Sequence, residues 1–218
     1  MKPSPQSLPS LLALTRDDPF VSHAAQVESM ITAGIGFIQL RSKALEGSSL
    51  VDEARRAVDY ARRTDSVCII NDCPNAAAQA GAHGVHLGMK DFSPAGARAL
   101  LGESAIIGRT VHSLPEAKQV MKEAVCDYVG VGPYRLSKTK SMLSPVLSHE
   151  EILEIREILA PLPVFLIGGL GLDDFGLIDD LGIKGLAVCS ALSGKAFGDN
   201  LKAFVSHSTL CAKTEELA

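Results

Sequence analysis

Short apolar runs alternate along the chain with amphipathic stretches whose apolar positions recur every three to four residues. The runs predict strands over Leu11–Thr15, Gly36–Leu40, Val67–Ile70, Gly84–Leu87, Ile106–Gly108, Tyr128–Val131, Val164–Ile167 and Gly185–Val188. Most are apolar throughout, as in VCII and VFLI, rather than alternating. A strand reads that way when both its faces are covered, the condition of a parallel sheet flanked by helices. The amphipathic stretches predict helices over His23–Ala33, Ser49–Arg63, Pro115–Ala124, Glu150–Leu159, Asp173–Leu181 and Lys195–Ala212. Capping residues agree. Ser49 and Ser113 precede helical runs that carry Glu53 and Pro115-Glu116 near their starts. Gly34, Gly81, Gly102 and Gly182 follow helical runs, where a residue free to take positive φ is wanted.

Strand–helix alternation predicts a parallel sheet. Eight such units in 218 residues, about 27 residues each, favour a single (β/α)8 TIM barrel at the small end of its range, with an open doubly wound sheet as the alternative. The first strand-to-helix turn has no G-x-G-x-x-G, which weakens the dinucleotide-binding version of that alternative. No linker, charge block or low-complexity segment interrupts the chain, so residues 1–218 read as one domain, with disordered tails expected at 1–10 and 214–218.

Composition removes several function classes. Net charge is -4 and Trp is absent, against a nucleic-acid partner. No apolar run approaches membrane-spanning length, and Leu11–Leu14 is too short for a signal-peptide core. The five cysteines are odd in number and lack C-x-x-C spacing, as expected for reduced thiols in the cytoplasm. A homodimer is left open.

In a barrel of this kind, chemistry gathers at the C-terminal ends of the strands. The residues there are Gln39, Arg41 and Lys43 after the second strand, Asn71-Asp72 after the third, and Lys90-Asp91 after the fourth. Arg109-Thr110 and His112 follow the fifth, Ser137-Lys138-Thr139-Lys140 the sixth, Gly168-Gly169 the seventh and Cys189-Ser190 the eighth. Arg41, Lys43 and Lys140 can converge on one anion. Asp72 and Asp91, beside those cations, point to Mg²⁺ bridging to a polyphosphate. The segments at Gly168-Gly169 and Cys189-Ser190 lie where barrels commonly hold a single phosphate. Each element also has a plain reading. Arg41 and Lys43 suit surface charges, Asp72 a helix cap, Asp91 a helix-start loop, and the glycine pair a turn. His86 reads as a core or lining residue and His83 as structural.

The chain resembles the thiamine phosphate synthase family from about Leu11 to Leu192. The motifs that carry the resemblance, in order, are Q-L-R-S-K (Gln39–Lys43), I-I-N-D (Ile69–Asp72), G-V-H-L-G-M-K-D (Gly84–Asp91) and I-G-R-T-V-H-S (Ile107–Ser113). Y-V-G-V-G-P (Tyr128–Pro133), S-K-T-K (Ser137–Lys140), I-G-G-L (Ile167–Leu170) and A-V-C-S-A-L (Ala187–Leu192) follow. The resemblance implies a (β/α)8 barrel and a Mg²⁺-dependent, dissociative alkyl transfer. The pyrimidinylmethyl group of hydroxymethylpyrimidine diphosphate passes to the ring nitrogen of a thiazole phosphate, carboxylated or not, giving thiamine phosphate and pyrophosphate.

It implies residue roles as well. Gln39, Arg41, Lys43 and Asn71 contact the pyrimidine diphosphate, with Lys140 on the diphosphate. Asp72 and Asp91 are Mg²⁺ ligands, and Thr110 stands near the reacting groups where the family usually has Ser. Ser137, Thr139, Gly169, Cys189 and Ser190 hold the thiazole phosphate, and Thr110, Lys140 and Arg41 form the catalytic set. Met89 departs from the family's usual Gln, and Arg135-Leu136 from its usual Phe-Pro. The segment Arg109–Ser113 also looks like the related thiazole tautomerase, which needs neither Mg²⁺ nor a diphosphate site. An idle paralogue that only binds is a further alternative. Pro133–Pro145, polar and poor in glycine, is expected to act as a lid.

Overall fold

The computed structural model describes residues 5–136, 145–194 and 196–215, the last seven as backbone. Its strands are β1 (Leu11–Leu14), β2 (Phe37–Leu40), β3 (Val67–Asn71), β4 (Gly84–Leu87), β5 (Ile106–Val111), β6 (Tyr128–Val131), β7 (Val164–Ile167) and β8 (Gly185–Val188). Each pairs in parallel with the next, and β8 returns to β1 with Leu12 opposite Ala187, closing the barrel. Around it run α1 (His23–Thr32), α2 (Gly47–Arg62), α3 (Pro74–Ala80), α4 (Pro94–Leu101), α5 (Leu114–Glu123), α6 (His149–Leu159), α7 (Leu177–Leu181) and α8 (Phe197–Glu215).

Two cores explain why the strands read apolar on both faces. Alternate residues point to opposite sides of a strand. Ile38, Leu40, Ile70, Val85, Leu87, Val129 and Leu166 join the helices in an outer layer. Leu12, Leu14, Phe37, Val67, Ile69, Ile106, Tyr128, Phe165 and Ala187 fill the barrel itself. Phe37, Tyr128 and Phe165 meet edge to face with ring centroids 5.4–5.7 Å apart. Burial of such a ring is worth about 1.5–3 kcal/mol. Gly108 makes room for this cluster: a Cβ there would lie 2.2 Å from the Tyr128 ring.

The inner face also sets up the site. Two residues along from Phe37, Ile69, Gly108 and Ala187 come Gln39, Asn71, Thr110 and Cys189. The same alternation that buries the apolar ring thus lines the C-terminal mouth with polar groups.

Several expectations change. β5 runs on to Val111, so Arg109 and Thr110 lie inside the strand rather than after it. Ser49 is not a cap. Glu46 holds that position without a side-chain bond, and the Ser49 hydroxyl donates to the Glu46 carbonyl at 2.7 Å. The helix expected over Asp173–Leu181 divides into a short 3₁₀ turn (Leu172–Asp174) and α7, with Gly176 between them. Residues 5–10, expected as a tail, form a 3₁₀ turn (Pro5–Ser7) followed by Leu8, which is buried with the barrel interior. Thr214 and Glu215 continue α8, and 216–218 lie outside the described residues.

Candidate active site

The end of β1 anchors the cationic segment that follows β2. The Arg41 N–H donates to Thr15 Oγ1 at 2.9 Å, and Thr15 Oγ1 lies 2.7 Å from His23 Nδ1. His23 Nε2 is 3.1 Å from Asp17 Oδ1. Asp17 accepts in turn from the Ser42 hydroxyl and, at 2.9 Å, from the Lys43 N–H. Burial works to raise the Asp17 pKa, but the hydrogen bonds from Ser42, Lys43 and His23 outweigh it and hold the carboxyl at about 2. Arg41 is thereby fixed half-buried at the rim, with Lys43 exposed beside it. These bonds tie Thr15, Asp17 and His23 to Arg41, Ser42 and Lys43, 25 or 26 residues from Thr15 and Asp17, and only the structure shows them.

Gln39 and Asn71 meet across the mouth, the Gln39 amide donating to Asn71 Oδ1 at 2.5 Å. Asp72 follows with φ +60°, a left-handed conformation that Asp tolerates better than most residues. Its N–H donates to the His86 carbonyl at 2.8 Å. On the next loop Asp91 Oδ2 accepts from the Gly88 N–H at 2.7 Å, and a Cβ at position 88 would meet that same oxygen at 2.7 Å. Gly88 therefore permits the approach of Asp91.

The two carboxyls lie on the loops after adjacent, paired strands and act on each other. Asp72 opens to water at the mouth while its carboxyl is enclosed on the protein side. That desolvation, then the hydrogen bond and charge of Asp91, raise its pKa to about 7 against the opposing pull of Arg41 and Asn71. Two carboxyls that interact in this way favour a shared cation. Among the described residues no third acidic, His or Cys ligand joins them. An all-oxygen set of two carboxylates, completed by phosphate oxygens and water, suits Mg²⁺.

The fifth strand splits its two polar residues between layers. Thr110 faces the barrel interior beside His86. Arg109 faces the outer layer and is buried. Its Nε donates to Met89 Sδ at 3.2 Å and its Nη2 to the Met89 carbonyl at 3.3 Å. Arg109 is therefore not a rim cation, and the departure at Met89 packs against it. The His112 ring, 2.5 Å through Nδ1 from the Gly132 carbonyl, ties the end of β5 to that of β6, while its own N–H donates to Glu116.

Backbone bonds join the ends of β6 and β7: Tyr134 N–H to the Ile167 carbonyl and Arg135 N–H to that of Gly168, each at 3.0 Å. The Arg135 guanidinium grips Asp174 with two bonds of 2.8 Å. Gly168 and Gly169 have φ +113° and +64°, and Cβ atoms there would lie 2.8 Å from Pro133 Cα and Arg135 Cβ. The glycine pair thus serves close backbone approach as well as turning. Cys189 is half-buried at the end of β8, its thiol pushed up by burial, and the exposed Ser190 begins a 3₁₀ turn (Ser190–Leu192). Ser137, Thr139, Lys140 and most of the expected lid lie outside the described residues.

The mouth therefore joins Gln39, Arg41, Asn71, Asp72, Asp91, Thr110, Gly169, Cys189 and Ser190, with Lys43 at its edge. The sequence alone missed Asp17, His23, Tyr128 and Asp174. The one signal for Tyr128 is its place in β6 on the same inward side as Gly130, which the apolar reading of the strand hides.

Residues 11–192 match a family model described as thiamine monophosphate synthase. The thiamine-phosphate synthase of Azorhizobium caulinodans is 40% identical over 166 residues, spanning 76% of this chain and 77% of that protein. That of Anaeromyxobacter dehalogenans is 36% identical over 172 residues, spanning 79% and 76%. In fold, the thiamine phosphate pyrophosphorylase of Pyrococcus furiosus superposes with a TM-score of 0.80 at 24% identity, covering 92% of this chain and 96% of that one.

Proposed function

The chain belongs to the thiamine monophosphate synthase family, and from that premise we propose how its residues make the product. It is a transferase that forms thiamine phosphate. The substrates we assign are hydroxymethylpyrimidine diphosphate and a thiazole phosphate, and the reaction is a dissociative transfer that releases pyrophosphate. We place the enzyme in the cytoplasm and leave room for a homodimer.

The single observation that carries the reading is the placement of Asp72 and Asp91 at the adjoining ends of β3 and β4, with Arg41 acting on Asp72. Asp72 and Asp91 would hold Mg²⁺, which when bound supplies positive charge to the diphosphate oxygens. Arg41, with Lys43 at the edge, receives the same diphosphate, and its charge counts most as the leaving group becomes more negative. The amide pair Gln39–Asn71 offers matched donors and acceptors to a pyrimidine edge. Thr110 faces the space above it. Gly169, Cys189 and Ser190 present backbone N–H groups to the thiazole phosphate. Ser137, Thr139 and Lys140 keep their assigned roles toward the two phosphates.

Incubation of the protein with both substrates tests the assignment. Thiamine phosphate and pyrophosphate are expected in equal amounts. Turnover of the thiazole partner alone, without pyrophosphate, would identify an isomerase instead.

A further inference from the structure

The inner face of the barrel carries a chain of three hydrogen-bonding groups that runs from its core to its mouth. Tyr128 Oη lies 2.7 Å from His86 Nδ1, and His86 Nε2 lies 2.7 Å from Thr110 Oγ1. Tyr128 is fully buried and His86 is nearly so, with Thr110 above them. Gly108 keeps space for the chain, and Gly130 lies in ordinary contact with it. A Cβ on Gly108 would lie 2.5 Å from Tyr128 Oη, and one on Gly130 3.4 Å from His86 Cε1 and 3.9 Å from Thr110 Oγ1.

The direction of the hydrogen bonds follows from Tyr128. A phenol O–H sealed in an apolar core must donate to something, since a buried donor left without an acceptor costs far more than one bond returns. Aromatic and aliphatic side chains surround it, and the acceptor in reach is His86 Nδ1. Nδ1 is then the unprotonated nitrogen, and Nε2 carries the hydrogen. Nε2–H donates to Thr110 Oγ1 and occupies one of its lone pairs. The Thr110 proton cannot point back at His86, and it faces the mouth.

We propose that Tyr128 and His86 are positioning residues that fix Thr110 as a hydrogen-bond donor toward the substrate. The donor is set before the substrate arrives, so it needs no reorientation as charge develops. Its acceptor is an oxygen or ring nitrogen that gains negative charge in the reaction. The usual family residue, Ser, rotates more freely than Thr, and the relay together with the β-branched side chain restricts the hydroxyl further. The proposal rests on the assignment of Thr110 to the reacting groups.

The test combines a spectroscopic reading with kinetics. In protein labelled with ¹⁵N in the histidine rings, His86 is expected to show the Nε2–H tautomer, and Tyr128→Phe to redistribute it. Tyr128→Phe is expected to lower kcat about tenfold with little change in either KM, the loss of one oriented hydrogen bond. Thr110→Val should show a similar loss, and the double variant Tyr128→Phe/Thr110→Val should be no worse than Thr110→Val alone. A structural role for Tyr128 would give additive losses instead. A wild-type His86 protonated on Nδ1 overturns the relay, whatever Thr110 does and even if Tyr128→Phe fails to fold. Full activity of Thr110→Val overturns the purpose of the donor while leaving the tautomer in place, so the two failures are distinguishable.

Discussion

Arg135 and Asp174 form a two-pronged ion pair, Nη1 to Oδ2 and Nη2 to Oδ1, each 2.8 Å, between the ends of two neighbouring strands. Arg135 also approaches the Gly169 carbonyl at 3.4 Å, and Asp174 accepts the Gly171 N–H at 2.7 Å. The pair thus braces the glycine segment that we assign to the thiazole phosphate. Burial raises the Asp174 pKa, but the bonds from Arg135 and Gly171 prevail and keep it below the usual range.

Removal of this brace is expected to act on binding more than on chemistry. Arg135→Ala should raise KM for the thiazole phosphate severalfold and leave KM for the pyrimidine diphosphate nearly unchanged. Arg135→Lys should rescue only in part, because one ammonium cannot make both bonds. The half-exposed guanidinium implies a small change in melting temperature. Steady-state kinetics with each substrate varied in turn provide the check.

Asp72→Asn should separate activity from stability. The substitution removes like-charge crowding against Asp91, so the melting temperature without metal should hold or rise. Turnover should fall by at least about a hundredfold, the scale of losing a group that stabilises developing charge. Calorimetry and initial rates on one preparation decide this. A loss of fold matching the loss of rate would make Asp72 structural.

Asp17 gives the protein a pH signature. Its folded-state pKa of about 2 lies below the ordinary 3.8, so the folded state binds fewer protons than the unfolded state in that interval. Its contribution to stability is present above about pH 4 and is lost as pH falls toward 2. Asp17→Asn should flatten acid unfolding over that window and, by loosening Arg41 and Lys43, weaken diphosphate binding at neutral pH. Acid titration followed by circular dichroism measures the first effect. Competition by pyrophosphate measures the second.

Gly108→Ala tests the packing under the site. A Cβ 2.2 Å from the Tyr128 ring forces the ring to move, at a cost of about 1–3 kcal/mol. A melting temperature equal to the wild type would show the barrel interior to be looser than described.

The barrel was legible because its strands are apolar on both faces, and much of the mouth because its residues follow those strands directly. Arg109 was misplaced because a strand end set at Gly108 hides the alternation that sends Arg109 outward and Thr110 inward. Tyr128 read as one more apolar strand residue. Its hydroxyl gains meaning only when the register of β4, β5 and β6 sets His86 and Tyr128 on either side of Gly108. Asp17 and Asp174 were invisible for a similar reason: their partners lie up to 39 residues away on loops whose approach no local pattern encodes. Ser49 sits in a sequence suited to an N-cap, but α2 begins earlier, at Gly47, behind Glu46.

The rate of thiamine phosphate formation against Mg²⁺ concentration tests the central claim most directly, in the wild type and in Asp72→Asn. Product that depends on Mg²⁺ in the wild type, with the dependence lost or moved to far higher concentration in the variant, is the expected result. Product formed equally well without a divalent ion, or an unchanged Mg²⁺ dependence in Asp72→Asn, would contradict the assignment of the Asp72–Asp91 pair.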